Sequence, residues 1–355
     1  MPRRPRRGGT CTVMDEKDGS MTMAIKIAVA GLRGVTAAAL AAVTCCALVP
    51  APALAAEPPY PQKPVRIVVP TASGGAGDII ARLLAQALTT RLGRQVVVEN
   101  RTGAGTMIGG ELVAKSPADG HTLLMGLSTL ATNPTAYRKV PYDALRDFAP
   151  VTQAVIMPNL IAMHPSVPAR SVREWIALAR ARPGEILYAS SGVGTNPHLT
   201  MELFSNMAQI RMTHVPYKSS TSMIDLIAGH VAVSSVPMLQ AMQHTRDGRL
   251  RALGVTSATR VAIAADIPTI AESGLPGFES VQWYGLLAPA ATPREIIERL
   301  HREVTAILRQ ADVQTRLAAD GAELVAGTPE AFAQTLRSET DKWARVARAA
   351  GIVPE

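Results

Sequence analysis

Short β-branched runs alternate along the chain with stretches whose apolar residues recur every three or four positions. "KPVRIVVP" and "GRQVVVEN" read as strands. Between them Ile79, Ile80, Leu83, Leu84, Ala87 and Leu88 repeat at helical spacing, and Gly93 stands where a helix-closing glycine is expected. "HTLLMG" and "NLIAMHP" continue as strands. "SVREWIALARARPGE" predicts a helix with Ser171 as N-cap and Glu174 completing a capping box. "GEILYASSGVGTNPHLTMELFSNMAQI" repeats the opening design of strand, glycine corner and helix. "HVPY", "LRALGVTS" and "WYGLLAP" are further strands. Two long helices each begin Thr-Pro, at Thr292 and Thr328, predicting a threonine N-cap with proline at the first helical position. The alternation predicts an α/β fold with parallel sheets covered on both faces.

The N-terminal part does not follow this pattern. From Met21, Lys26 and Arg33 precede an apolar run from Val35 to Val49, and Ala53-Leu54-Ala55 is a small-x-small cleavage site. The run is shorter than the ~20 residues of a comfortable membrane span. It predicts an exported, periplasmic protein with residues 1–55 as leader, cut near Ala55, Met1 to Ser20 lying upstream of a workable start. Seven of the 36 Lys/Arg and three of the 28 Asp/Glu fall in that leader, so the remainder carries +4 against +8 for the whole chain. No basic patch then calls for nucleic acid. Cys11, Cys45 and Cys46 all lie in the leader, which leaves the remainder without a disulfide, a thiolate nucleophile or a cysteine metal site. The histidines show no metal-ligand spacing, and no cofactor is expected.

The chemistry concentrates at the two glycine corners. Thr71 to Gly77, "TASGGAG", joins a strand end to a helix beginning near Asp78. A helix start offers unpaired N–H groups and partial positive charge. Gly74, Gly75 and Gly77 let an anion approach them. The loop lacks both the lysine of a P-loop and the spacing of a dinucleotide fingerprint. The second corner, "SSGVGTNPHL", adds the hydroxyls of Ser190, Ser191 and Thr195, with Gly194 in the turn and His198 in the first helical turn. Two such corners at strand carboxyl ends suit a ligand held across a cleft. "YASSG" approaches a nucleophile elbow, but Tyr188 replaces its first glycine and no suitable late histidine follows, so no catalytic set is expected.

Several segments together resemble the Bug family, the periplasmic solute receptors of tripartite tricarboxylate transporters. They are "YPQKPVRIVVP", "GGAGDIIARLLAQAL", "VVVENRTGAG", "ADGHTLLMG", "LYASSGVGTNPHL", "HVPYK", "DIPTIAESGLPGFES" and "WYGLLAPAATP". The resemblance runs nearly end to end after the leader. It implies a two-domain flytrap: residues 57–158 plus 281–355 as one domain, 159–280 as the other, and two hinge crossings between them. It implies a non-enzymatic, monomeric receptor that delivers a small carboxylate to membrane permease subunits. Its implied ligand contacts are Thr71, Ala72, Ser73, Gly74, Gly75 and Asp78 in the first loop. In the second they are Ser190, Ser191, Gly194, Thr195 and His198, joined by Tyr217 and Trp283. The family usually carries an aromatic and prolines where this chain has Thr71, Ala72 and Ser73, threonine at Gly77, and an acidic stretch where it reads "VAVSSVPM".

Two other roles stay open on the sequence: a ligand sensor for a signalling kinase, and a hydrolase using Ser190 or Ser191. With Lys218 the one nearby cation, the residues predict a mono- or dicarboxylate with added polar groups in preference to a tricarboxylate.

Overall fold

The structure, a computed structural model, describes residues 60–217 and 222–354. The leader, its three cysteines and its cleavage site lie outside the described residues, as does Lys218. β1 (Val65–Val69) leads through the first corner into α1 (Ala76–Leu92), then β2 (Val96–Asn100), α2 (Met107–Ala114), β3 (Thr122–Leu127) and α3 (Thr129–Ala136). β4 (Phe148–Met163) is followed by α4 (Val172–Ala181), β5 (Leu187–Ser190) and α5 (Asn196–Ala208). Next come β6 (Thr213–Pro216), α6 (Ser222–Ala228), β7 (Val233–Pro237), α7 (Met238–Arg246) and β8 (Arg251–Val255). β9 (Val281–Pro289), α8 (Arg294–Leu308), α9 (Ala311–Ala319), β10 (Glu323–Leu324) and α10 (Pro329–Ala349) complete the chain.

The two-domain α/β fold is built on one shared strand. Residues 148–158 of β4 pair antiparallel with β9, while residues 159–163 pair antiparallel with β7 and β8. The strand order is β2-β1-β3-β9-β4-β7-β5-β6, with β8 and β10 also on β4. Parallel pairing, expected for most of each sheet, is confined to the strands linked by helical crossovers: β1 with β2 and β3, and β5 with β6 and β7. Where the chain passes between the halves it uses antiparallel strands, which need no crossover helix.

Both faces of each half are covered. Ile67, Leu84, Leu123 and Leu300 pack on one side of the first half, and Val68, Leu124, Trp283 and Trp343 on the other. In the second half Trp175 stacks on Phe204 with ring centroids 3.9 Å apart, and Leu160, Ala189 and Val255 fill the opposite face. Burial of such side chains, at ~1.5–3 kcal/mol each, dominates stability. The local signals hold in part. Gly93 closes α1 in the left-handed conformation, and Ser171 accepts the Glu174 N–H. Thr328 caps α10, but Pro293 rather than Thr292 occupies the cap position of α8.

Candidate functional site

The first corner leaves β1 and enters α1 at Gly75, an N-cap without a side chain. The amides of Ala76 and Gly77 therefore have no acceptor among the described residues. The Gly74 N–H points instead to Asp78, whose Oδ2 accepts it at 2.9 Å. Gly74 sits at φ +83°, a left-handed position that favours glycine. Asp78 is almost fully buried and spends both oxygens inside the protein: Oδ2 also accepts Arg82 Nε at 2.9 Å and Ser73 Oγ at 3.3 Å, and Oδ1 accepts Asn100 Nδ2 at 3.0 Å. The Arg82 hydrogen bond, with those from Gly74 and Asn100, holds its carboxyl well below the usual range.

The second corner uses the same geometry. Gly194, at φ +72°, donates its N–H to Nδ1 of His198 at 3.0 Å, and Thr195 is the N-cap of α5. The amides of Asn196 and His198 have no acceptor among the described residues. Thr195 turns its hydroxyl back to Gly192 O at 2.7 Å. His198 stacks on His214 at 3.9 Å, and His214 stacks on Tyr188 at 4.9 Å. Burial pushes His198 down to about 3, His214 adding to the effect, and burial pushes His214 down to about 4. Ser190 Oγ lies 2.6 Å from His214 Nε2, the distance of a nucleophile–base pair. Ser190 is nevertheless fully buried and its Oγ accepts the Gly192 N–H at 3.1 Å, so the contact fastens the corner.

A cavity of about 380 Å³ opens beside the first corner, within the usual size range for small ligands. Gly74, Gly75 and Ala76 form its amide-bearing wall, with Ile79 and Ile80 one turn on. Met157, Pro158 and Asn159 of β4, and Gln282 and Tyr284 of β9, bring the two crossing strands to it. Pro237, Met238 and Gln240 come from the start of α7, and Leu317, Asp320, Gly321 and Ala322 from the end of α9. No lysine, arginine or histidine lines it among the described residues.

Of the residues singled out in the sequence, Gly74 and Gly75 line this cavity. Thr71 lies next to it: its Oγ1 is buried without a partner, and a Cβ on Gly77 would stand 3.5 Å from both that oxygen and the Tyr284 ring. Ala72 and Ser73 are exposed. Ser190, Thr195 and His198 are engaged within the second corner, and Gly194 packs against Ala136 of α3, where an added Cβ would stand 2.3 Å from the Ala136 Cβ. Ser191 is half-buried and makes no side-chain hydrogen bond among the described residues. Tyr217 donates to Asp225 Oδ2 at 2.6 Å. Trp283 faces away from the cavity, fully buried against Phe332, because neighbouring strand residues point to opposite faces.

Tyr284 and Gln282 take the cavity face of β9 instead, and burial pushes the Tyr284 hydroxyl up to about 12. Asn159 links the corners: it lines the cavity, and its Nδ2 donates to Asn196 Oδ1 at 2.8 Å, leaving Asn196 Nδ2 buried without a partner. Glycines and hydroxyls stand out in the sequence, whereas these amides sit in segments that read only as strand or helix start. Only strand alternation around Trp283 offered a signal for Tyr284.

Residues 80–352 match the sequence profile of the tripartite tricarboxylate transporter family receptor. Protein BugT of Bordetella pertussis is 37% identical over 295 residues, covering 82% of this chain and 90% of its own length. Among solved structures, R. palustris Rpa4515 with adipate is 37% identical with a TM-score of 0.71, over 84% of this chain and 100% of its own. MatC from Rhodopseudomonas palustris with bound malate is 30% identical with a TM-score of 0.67, over 81% of this chain and 100% of its own. Among the described residues no helix is long and apolar enough to cross a membrane. With its two-domain fold, its paired corners and a family match over most of its length, the chain belongs to the tripartite tricarboxylate transporter receptors, a family of periplasmic solute-binding proteins.

Proposed function

We propose that this receptor captures a small carboxylate on the Ala76 and Gly77 amides and delivers it, without chemical change, to the permease subunits of a tripartite transporter. The observation that carries the reading is the uncapped start of α1 at the wall of the 380 Å³ cavity. A carboxylate there meets the free Ala76 amide of the lining, the free Gly77 amide one residue further in, and the positive end of a 17-residue helix. Charge-assisted hydrogen bonds contribute about 1.5–3 kcal/mol each, and a few of them with apolar burial reach micromolar affinity, about 8 kcal/mol. Two relatives, solved with adipate and with malate, agree with an acid as ligand. The second corner takes part through Asn196 and its hold on Asn159.

The domains in this reading are residues 57–158 with 281–355, and residues 159–280, meeting where β4 changes partner. Closure about these crossings buries the ligand. Export depends on the leader, removed near Ala55, and the receptor works as a periplasmic monomer. A thermal-shift screen of carboxylic acids tests the binding claim. An acid present at 100 times its Kd raises stability by about 2.7 kcal/mol. Absence of any stabilising acid, with turnover of an ester, overturns it. Loss of uptake of that acid on deleting the gene tests delivery to a permease; unimpaired uptake assigns the receptor to sensing.

A further inference from the structure

We propose that the cavity selects a monocarboxylate with an apolar body and discriminates against a second carboxylate. This rests on the cavity being the carboxylate site. Its two ends differ in charge. The start of α1 supplies partial positive charge through the Ala76 and Gly77 amides. The end of α9 brings Asp320 to the same cavity, at the C-cap position where a helix already gathers partial negative charge. A carboxylate there gains nothing from its own helix. Asp320 is half-buried and makes no side-chain hydrogen bond or ion pair among the described residues.

The rest of the lining fits the same ligand. Ile79, Ile80, Met157, Met238 and Leu317 present hydrocarbon and thioether, and Tyr284 presents its ring. The remaining polar side chains are the neutral amides of Asn159, Gln240 and Gln282. One carboxylate is thus provided for, and an apolar body gains from leaving water. A second carboxylate finds no cation among the described lining residues and shares the space with Asp320, where like charges repel and desolvation is unfavourable. Ser73, one source of the polar groups expected on the ligand, is exposed and turned to Asp78.

Hexanoate and adipate share a six-carbon chain and differ in the second carboxylate, so calorimetric titration of the purified chain with both tests the claim. Hexanoate is expected to bind at least tenfold more tightly. Asp320→Asn is expected to raise the affinity for adipate relative to hexanoate at least fivefold. Adipate binding as tightly as hexanoate to the unaltered protein, or an adipate-to-hexanoate ratio unmoved by Asp320→Asn, overturns the selectivity and leaves the carboxylate reading standing. If neither acid binds and a wider acid panel also fails, the carboxylate reading falls and the selectivity falls with it.

Discussion

Gly194 donates its N–H to Nδ1 of His198 over 3.0 Å, four residues ahead in the second corner. Gly74 makes the matching bond to Asp78 over 2.9 Å in the first. Both glycines are left-handed, and both acceptors are the third residue of their helix. Each corner thereby spends its N3 side chain on the loop and leaves helix-start amides unpaired. His198→Phe strands a buried donor, and is expected to lower unfolding free energy by about 1–3 kcal/mol. His198→Asn, which keeps an acceptor, should recover part of that loss. Urea denaturation of the two variants measures it; equal losses would assign the effect to packing on His214.

The burial of the two stacked histidines sets a pH dependence. The folded chain holds His198 at about 3 and His214 at about 4, each mainly through burial, below the unfolded value of about 6.5. Between those limits the unfolded chain binds the protons. Stability from this source is therefore complete above about pH 6.5 and is lost as pH falls, on the order of 1 kcal/mol per unit per histidine. Glu202, which accepts the Tyr188 hydroxyl beside this stack, is pushed up by burial and acts in the opposite sense. NMR of the imidazole C–H resonances separates the two effects: those of His198 and His214 should not titrate between about pH 8 and about pH 5.

The two left-handed glycines differ in their surroundings. A Cβ on Gly74 meets nothing within 4 Å, so Gly74→Ala should cost only the backbone strain, about 1–2 kcal/mol. A Cβ on Gly194 falls 2.3 Å from the Ala136 Cβ and 3.3 Å from its Cα. Gly194→Ala adds that clash, for a further loss of about 1–3 kcal/mol. Thermal melts of both variants check the order.

Asp78 is satisfied inside the protein by Gly74, Arg82, Ser73 and Asn100. Asp78→Asn is therefore expected to reduce stability by about 1–3 kcal/mol and to leave the order of ligand preference unchanged. Because the folded carboxyl is depressed, its contribution is present above about pH 4 and fades as pH falls through the lower folded value. A comparison of chemical denaturation at neutral and acid pH, with a ligand panel, measures both.

The periodic parts of the fold were legible. The run around Ile67, the helix around Leu84 and the closing Gly93 lie where the pattern put them. The long β4 was not, because "NLIAMHP" shows only its far end and the partner change at Asn159 is a tertiary event. The glycines of both corners were visible as turns. Their bonding partners were not: Asp78 and His198 read equally as helix-start residues or ligand contacts, and no spacing pairs them with Gly74 and Gly194. Trp283 and Tyr284 are adjacent, so composition singled out the pair while the pleat decided which faces the cavity. Asp320 lies some 240 residues from the first corner, and no local pattern joins them.

The central claim places a carboxylate on the amides of Ala76 and Gly77. Amide-resolved NMR, with an acid from the thermal-shift screen titrated into unaltered protein and into Gly75→Val, addresses it directly. Gly75 has an ordinary φ of −75°, so valine is compatible with the backbone while its branches crowd the loop beside Ala72 O. The account predicts that Ala76 and Gly77 show the largest downfield shifts on binding, and that Gly75→Val keeps its fold but loses the response. Saturable binding that leaves both amides unmoved would contradict it.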